Sequence, residues 1–184
     1  MFWDKPGKEN TEKTVELALD KTLDKDLEHL VVASNEGDTV FKLLENEGTE
    51  DINIVCVTHH VGFREDGFDE MSKETREELT AKGVQVYTGT HVLAGIDRTL
   101  RQQYGGLYPP EIVANTLRML GQGVKVCVEI GIMALDAGLI PYGENVMAVG
   151  GTGRGADTAA VIRPGHSNNF FETKIVEIIC RPHY

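Results

Sequence analysis

The turn that follows the apolar run at residues 29–33 has the residue types of a phosphate-binding loop. A short loop that enters a helix offers free N–H groups and the positive end of the helix dipole, and both favour an anion. Two hydroxyls and a glycine add to this, so the turn is a candidate phosphate site made of Ser34, Asn35, Gly37, Asp38 and Thr39. An ordinary helix cap is the alternative, because Ser and Thr commonly form one, and the charges of Glu36 and Asp38 oppose a phosphate.

A glycine-rich loop near the end of the sequence is a second candidate for ligand contact. Its glycines do not follow GxGxxG, and a strand follows the loop where a dinucleotide fingerprint would open a helix. The loop is either a flexible hairpin connection or a place where backbone N–H groups approach a ligand, with Arg154 as an anion partner and Asp157 as an acceptor. Its candidate residues are Gly150, Gly151, Arg154, Gly155, Ala156 and Asp157.

Histidines follow two further predicted strands, where they are suited to acid–base chemistry or to contact with a ring. Adjacent residues of an extended segment point to opposite sides, so at most one of His59 and His60 is expected to face a cleft. A metal site that joins these histidines to Glu129 is the minority interpretation, and we expect no metal. The remaining ring or ligand candidates are Thr58, His59, Gly62, Phe63 and His91, and no catalytic residue is assigned.

Alternating strands and helices must position these loops. Periodicity and capping residues predict helices over 10–22, 39–45, 72–82, 111–120 and around 133–135. Apolar β-branched runs predict strands over 29–34, 52–58, 84–88, 124–130, 145–149, 158–162 and 174–179. This order predicts a three-layer α/β/α fold with a mixed, mostly parallel sheet and an antiparallel edge strand. Ligands of such sheets bind at the carboxyl ends of the strands, so the loops after Ala33, Thr58, Thr88, Ile130 and Val149 should share one rim.

Two further expectations concern chain organisation. The 184 residues suit a single domain, with a helical insertion around residues 90–121 where Pro109 and Pro110 interrupt the regular order. Residues 158–162 should pair antiparallel with a neighbour, because the loop before them is too short for a parallel crossover.

The charge balance limits the possible partners. A net charge of −11 repels a phosphate backbone, so we expect no nucleic acid partner. No apolar run is long enough to span a bilayer and the first residues do not have the pattern of a signal peptide, so we expect a cytoplasmic chain without membrane contact. Cys56, Cys127 and Cys180 lie in apolar runs and are expected to be reduced and buried. Whether the chain forms a homo-oligomer is left open.

Three stretches together resemble the C-terminal α/β domain of pyruvate kinase. They are residues 29–40, the strand that ends at Val57-Thr58, and residues 145–162. The chain is most similar to stand-alone archaeal and bacterial proteins built from that domain, which share Lys5–Thr11, the pattern Gly-x-x-Arg-Gly-Ala-Asp-Thr at 151–158 and Asn168–Phe171. The resemblance implies a three-layer domain with a mixed five-stranded core sheet.

The resemblance also implies a ligand. In some pyruvate kinases the turn that corresponds to residues 34–39 binds the phosphate of a sugar phosphate effector, and the stand-alone proteins look like binders of flavin mononucleotide (FMN). We therefore expect a binding domain for a phosphorylated mononucleotide, with FMN as the named cofactor. The alternatives are a flavin-dependent oxidoreductase or a hydrolase of a phosphorylated metabolite that uses His59 or His91, and a sugar-phosphate-sensing regulatory subunit. The catalytic barrel of pyruvate kinase is absent from these residues, so phosphoryl transfer to pyruvate is not expected.

Overall fold

A computed structural model, which describes residues 1–183, shows one seven-stranded mixed sheet with helices on both faces. The strands are β1 (Phe2–Trp3), β2 (His29–Ala33), β3 (Asn53–Thr58), β4 (Gln85–Thr88), β5 (Val146–Gly150), β6 (Thr158–Arg163) and β7 (Lys174–Pro182). The helices are α1 (Thr11–Asp24), α2 (Asp38–Leu44), α3 (Lys73–Ala81), α4 (Ile96–Tyr104), α5 (Pro109–Arg118) and α6 (Gln122–Asp136), and short 3-10 turns lie at Lys8–Asn10 and Ser167–Glu172.

The strand order is β1-β7-β6-β5-β2-β3-β4, and four of its neighbouring pairs are parallel. Strand β6 pairs antiparallel with β5, from Val146 opposite Ile162 to Gly150 opposite Thr158, which confirms the predicted direction of this strand. The predicted position of the antiparallel strand at an edge is wrong, because β7 and β1 continue the sheet beyond β6. These two strands also extend the sheet beyond the five strands that the resemblance implied.

Two apolar layers cover the sheet. Helix α1 turns Val15, Ala18 and Leu19 towards one face, at the helical spacing that the sequence shows, and α2 and α3 add Leu43 and Leu79. The opposite face packs mainly against α6, and α5 contacts α6. The three-layer α/β/α architecture is therefore confirmed.

The prediction of a strand at 124–130 is wrong, because these residues belong to the 15-residue helix α6. Helix α6 is buried around most of its circumference, so its apolar residues form a continuous run that resembles a buried strand. Two glycines allow the helix to lie close to β6: a Cβ at Gly123 would stand 2.0 Å from Thr158 Oγ1, and one at Gly131 would stand 2.3 Å from Ile162 Cδ1. The expected rim loop after Ile130 does not exist, since Ile130 lies in the middle of the helix.

The segment predicted as a helical insertion contains α4 and α5, which lie before α6 in the chain. None of the helices within residues 1–183 combines the length and the apolar character that crossing a bilayer requires. Cys56, Cys127 and Cys180 are free and buried, although Cys127 lies on α6 rather than on a strand.

Candidate functional site

A cleft of about 650 Å³ opens where β2 and β3 end, at the carboxyl edge of the sheet. The loop after β5 and the 3-10 turn near the amino terminus form one side of it, and α6 forms the floor opposite the β2–α2 turn. Its volume lies within the range of roughly 300–1,000 Å³ that is usual for small-molecule sites. The fold thus brings four of the five predicted rim loops, those after Ala33, Thr58, Thr88 and Val149, together around one cavity.

Most of the candidate residues line this cleft, and five do not. The lining includes Ser34, Asn35, Asp38, Thr39, Thr58, His59, Phe63, His91, Gly151, Arg154 and Gly155. The candidates outside the lining are Gly37, Gly62, Gly150, Ala156 and Asp157.

The Ser34–Thr39 turn caps helix α2 and also contains backbone N–H groups to which no acceptor within residues 1–183 is bonded. Ser34 Oγ accepts a hydrogen bond from the N–H of Thr39 at 3.2 Å, so this hydroxyl already serves α2. Gly37 has φ 95°, which a side chain would strain, and a Cβ there would stand 2.7 Å from Thr75 Cγ2. Among residues 1–183, no acceptor is bonded to the backbone N–H groups of Glu36, Gly37 or Asp38, so the turn has donors available for an anion.

Arg154 joins the two candidate loops. Its Nη1 lies 2.5 Å from Glu36 Oε1, so the glycine-rich loop and the Ser34–Thr39 turn are held together by an ion pair over the cleft. Both side chains are almost half exposed, and such a pair contributes little to stability. The pair does offset the negative charge that Glu36 brings to the turn.

Asp157 has a structural role, which differs from the ligand contact considered from the sequence. The residue is fully buried, and its Oδ2 accepts hydrogen bonds from the backbone N–H groups of Gly7 at 3.0 Å and Thr152 at 3.1 Å. Its Oδ1 accepts from the Thr158 hydroxyl at 2.8 Å. Asp157 therefore fastens the amino-terminal segment to the glycine-rich loop and has no free side-chain oxygen turned to the cleft.

His59 is held in one orientation by two partners. Its Nδ1 lies 2.5 Å from Oε1 of the buried Glu70, which can only accept, so we assign the ring proton to Nδ1. The Asn35 side chain is bonded to both His59 Nε2, at 3.2 Å, and the His59 backbone N–H, at 3.0 Å. Burial lowers the pKa of His59 despite the nearby Glu70 carboxylate, so the ring is neutral at pH 7 and carries a lone pair on Nε2.

An aromatic cluster surrounds this histidine. Phe63 stacks on the His59 ring with centroids 3.7 Å apart, and His91 meets the His59 ring edge-on at 5.2 Å. The guanidinium of Arg98 lies over the Phe63 ring, 5.2 Å from its centroid. His60 also contacts Phe63, but it does not line the cleft. The cluster gives the cleft an aromatic wall.

Helix α6 brings a buried ion pair to the cleft. Lys125 and Glu129 are 5% and 4% exposed, lie one helical turn apart and are joined by a hydrogen bond from Lys125 Nζ to Glu129 Oε2. Glu129 Oε1 also accepts from the backbone N–H of Leu93 at 2.9 Å. Close by, burial lowers the pKa of His91 to about 4, which keeps this ring neutral at pH 7.

The cleft concentrates positive charge in an acidic protein. Seven of the 18 Lys and Arg residues line it, against three of the 29 Asp and Glu residues. The seven are Lys8, Lys42, Arg64, Arg98, Arg118, Lys125 and Arg154. Sequence analysis missed all of these except Arg154, because they are spread from one end of the sequence to the other and meet only in the fold. The spacing of Lys125 and Glu129 was the one local signal.

A possible cation site lies at the other end of the sheet, away from the cleft. Glu28, His29 and Glu144 hold ligand-type atoms within 4.8 Å of one another. However, the Asn53 side-chain N–H donates to both His29 Nδ1, at 2.9 Å, and the carbonyl of Leu139, also at 2.9 Å. Because Nδ1 accepts, the ring proton is on Nε2, the nitrogen that faces Glu144. The network therefore favours an ordinary histidine–carboxylate pair.

The fold and the cleft define an α/β domain with a cavity at the carboxyl edge of its sheet. The family model "Pyruvate kinase, alpha/beta domain" matches residues 12–162, so the chain belongs to this family, as its resemblance indicated. Similar solved structures include a pyruvate kinase from Cryptosporidium parvum, with 15% identity, 84% of this chain and 23% of that chain covered, and a TM-score of 0.45. Another is the Cryptosporidium parvum pyruvate kinase in complex with ADP, with 16% identity, 84% and 24% coverage and a TM-score of 0.45. This chain thus spans about a quarter of the length of those enzymes.

Proposed function

We propose that this chain binds a phosphorylated mononucleotide in the cleft, with FMN as the named candidate. The observation that carries the proposal is the gathering of seven Lys and Arg residues around a single cavity of a protein whose net charge is −11. Positive charge in a partly enclosed site attracts an anionic ligand more strongly than the same charge spread over a surface. Four of the seven pair with carboxylates, while Lys8, Arg98 and Arg118 form no ion pair within residues 1–183, so positive charge is left in the cleft for an anionic ligand.

The phosphate of this ligand is assigned to the Ser34–Thr39 turn. The unbonded N–H groups of Glu36, Gly37 and Asp38 are suitable donors, and Lys8 has no ion-pair partner among residues 1–183. The buried hydroxyl of Thr39 also lines the cavity. The planar ring of the ligand is assigned to the aromatic wall, where His59 and Phe63 already stack on each other.

Comparing FMN with riboflavin tests this proposal, because the two differ only in the phosphate. Purified protein is examined for absorbance in the flavin bands, and both ligands are then titrated into ligand-free protein by calorimetry. We expect FMN to bind at least about tenfold more tightly than riboflavin, which corresponds to roughly 1.4 kcal/mol for the phosphate contacts. Colourless protein that also fails to bind added FMN would contradict the proposal and favour a sugar phosphate as the ligand.

Two variants locate the phosphate. Lys8→Gln removes an unpaired charge from the cleft and should weaken FMN binding several-fold, whereas Lys13→Gln should not, because Lys13 lies outside the cleft and pairs with Glu16. Thr39→Val should have a smaller effect, since it removes one hydroxyl and keeps the shape of the side chain. Gly37 is less suitable for this test, because a side chain there would collide with Thr75 and disturb the turn itself. If the parent and the Lys8 and Thr39 variants bind FMN with equal affinity, the assignment of the phosphate to this turn is wrong.

A hydrolase is the second candidate, and the orientation of His59 is the observation that favours it. A neutral histidine held by a buried carboxylate is the usual arrangement of a general base, and His59 Nε2 would take a proton once a substrate displaces the Asn35 N–H that donates to it. Release of inorganic phosphate from FMN, measured over hours with the parent protein and with His59→Gln, distinguishes this activity from binding alone. A hydrolase would release phosphate at a rate that the substitution lowers, and a binding domain would release none.

A further inference from the structure

Three cations that line the cleft lie on helices α4, α5 and α6 rather than on the Ser34–Thr39 turn. Arg118 Nε donates to Gln122 Oε1 at 2.7 Å, and Gln122 lies on the same side of α6 as Lys125, one turn earlier. Lys125 and its partner Glu129 lie near His91, whose ring is 5.5 Å from that of Phe63. Arg98 lies over the same Phe63 ring. These contacts join Arg98, Arg118 and Lys125 across α4, α5 and α6.

The two arginines lack the acidic partners that four other arginines of this chain have, whereas the exposed Arg163, outside the cleft, is bonded to the Asn145 side chain instead. Arg64, Arg76, Arg101 and Arg154 each pair with a carboxylate. Arg98 and Arg118 also line the cleft, yet within residues 1–183 neither forms an ion pair, and Arg118 is bonded only to the amide oxygens of Gln122 and Asn115. Both arginines are exposed to solvent, so their guanidinium groups are free to pair with an anionic ligand that enters the cleft.

Lys125 adds a buried donor to the same wall. Its ammonium group has three N–H donors, and the described residues provide one partner, Glu129. The side chain is 7% exposed and still lines the cavity, so the remaining donors have little access to bulk water. An anion in the cleft would satisfy them and would offset the cost of burying the charge.

We infer that Arg98, Arg118 and Lys125 form a second anion-binding site, which takes a carboxylate or phosphate group other than the phosphate at the Ser34–Thr39 turn. This inference rests on the proposed function, because it assigns the whole cleft to anionic ligands. The two sites lie on different elements: the first on the β2–α2 turn and the amino-terminal segment, the second on α4, α5 and α6. The second anionic group belongs either to the same ligand molecule or to a second small molecule bound beside it.

Site-resolved NMR with inorganic phosphate as the probe tests this inference. The backbone amide of Gly37 reports on the first site, and the Nε–Hε signals of Arg98 and Arg118 report on the second. Phosphate is titrated into ligand-free, ¹⁵N-labelled protein at constant ionic strength set with chloride. We expect both sets of signals to shift and to saturate with separate binding curves. Arg101, which lies on α4 but outside the cleft and is paired with Glu111, is the internal control and should not shift.

The double variant Arg98→Gln/Arg118→Gln should raise the dissociation constant for phosphate that is followed at Lys125 and its neighbours at least tenfold. The dissociation constant that is followed at Gly37 should stay within about twofold of that of the parent. The matched variant Arg101→Gln should change neither curve. The inference is overturned if the Arg98 and Arg118 signals do not move with phosphate, or if they move no more than the Arg101 signal. It is also overturned if the double variant loses both curves together, because one site would then explain the data.

A repeat of the titration with saturating FMN distinguishes the two sources of the second group. If FMN itself shifts the arginine signals and phosphate no longer does, one molecule fills both sites. If phosphate still shifts them, the second site takes a separate anionic molecule. Failure of FMN to bind would contradict the proposed ligand, whereas two phosphate curves in the ligand-free protein would still establish the second site.

Discussion

The Lys125–Glu129 pair allows a quantitative test of the cleft wall. Both residues are at least 95% buried, so removing one of them leaves the other charge without compensation in a poorly solvated place. Breaking a buried pair of this kind typically costs about 3–5 kcal/mol. Lys125→Met and Glu129→Gln should therefore each lower the free energy of unfolding by about 3 kcal/mol, at the lower end of that range because the cleft admits some water. Gln is chosen since its oxygen can still accept from the backbone N–H of Leu93.

The double variant distinguishes the interaction between the two charges from the contacts that each side chain makes with its other neighbours. Without either charge no isolated ion remains, so the double variant should be clearly more stable than the sum of the two single changes predicts, by at least about 2 kcal/mol. The free energy of unfolding is measured with urea on ligand-free protein at pH 7, with the m-value checked for two-state behaviour. The exposed pair Lys13–Glu16, with both side chains 47% exposed, is the control and should couple by less than about 1 kcal/mol. Additive single effects at Lys125 and Glu129 would show that the two charges do not depend on each other, and the reasoning would fail.

Three more predictions concern His91 in the cleft, the hydrogen bonds of Asp157 and the buried thiols. His91 has a pKa lowered from 6.5 to about 4, so the unfolded chain binds more protons between these pH values and the stability of the domain falls as the pH drops through this window. His91→Gln should remove up to about 3 kcal/mol of that loss, measured by urea unfolding at pH 7 and pH 4. Identical pH profiles of the parent and the variant would contradict the assignment. Asp157→Asn should lower the free energy of unfolding by at least about 2 kcal/mol, because it replaces a buried acceptor of three hydrogen bonds. The control Asp20→Asn, at an exposed position, should lower it by less than about 0.5 kcal/mol. Equal effects of the two substitutions in thermal unfolding would show that Asp157 does not fasten the amino-terminal segment to the glycine-rich loop. Burial raises the pKa of Cys56 to about 12 and also raises that of Cys127. A thiol reagent at pH 8 should therefore modify neither of these two cysteines in the native protein, and it should modify all three cysteines in denaturant. Fast reaction of the native protein would show that the two thiols are accessible.

The strands that frame the cleft were predictable because each is short and bounded by turn residues. Strands β2, β3, β5, β6 and β7 and helices α1 and α3 have nearly the predicted bounds. Their patterns are local, and local patterns are what a sequence shows directly. The position of β6 inside the sheet was not predictable in this way, because it depends on where β7 and β1 pair.

Helix α6 was mistaken in part for a strand because it is buried on almost every side. An apolar run of this kind does not distinguish a helix from a strand by periodicity. Two signals favoured the helix: the i,i+4 spacing of Lys125 and Glu129, and a run of 15 residues between Gly121 and Ala137, which exceeds the usual length of a strand. The error also displaced Glu129, which was assigned to a strand and in fact forms the floor of the cleft.

The electrostatic character of the site was the least predictable feature. The cations of the cleft occur at positions 8, 42, 64, 98, 118, 125 and 154, with no two of them adjacent. A search for a basic stripe finds nothing in such a pattern, because these cations come together only in the folded chain. The turn at Ser34–Thr39, in contrast, is local and was visible from its residue types.

The fastening of Gly7 to Asp157 has a consequence for the order of folding. The hydrogen bond between them closes a loop of 150 residues, and Thr11 Oγ1 accepts from the N–H of Ala156 beside it. Contacts of such long sequence separation form late, since their loop-closure entropy must be offset by structure already in place. We therefore expect Lys8 to reach the cavity late in folding, so that the complete binding site forms only when the rest of the domain is in place. A ligand that needs Lys8 will select the native state alone, so its binding energy should raise the stability of the entire domain and should slow hydrogen exchange even at core amides far from the cleft.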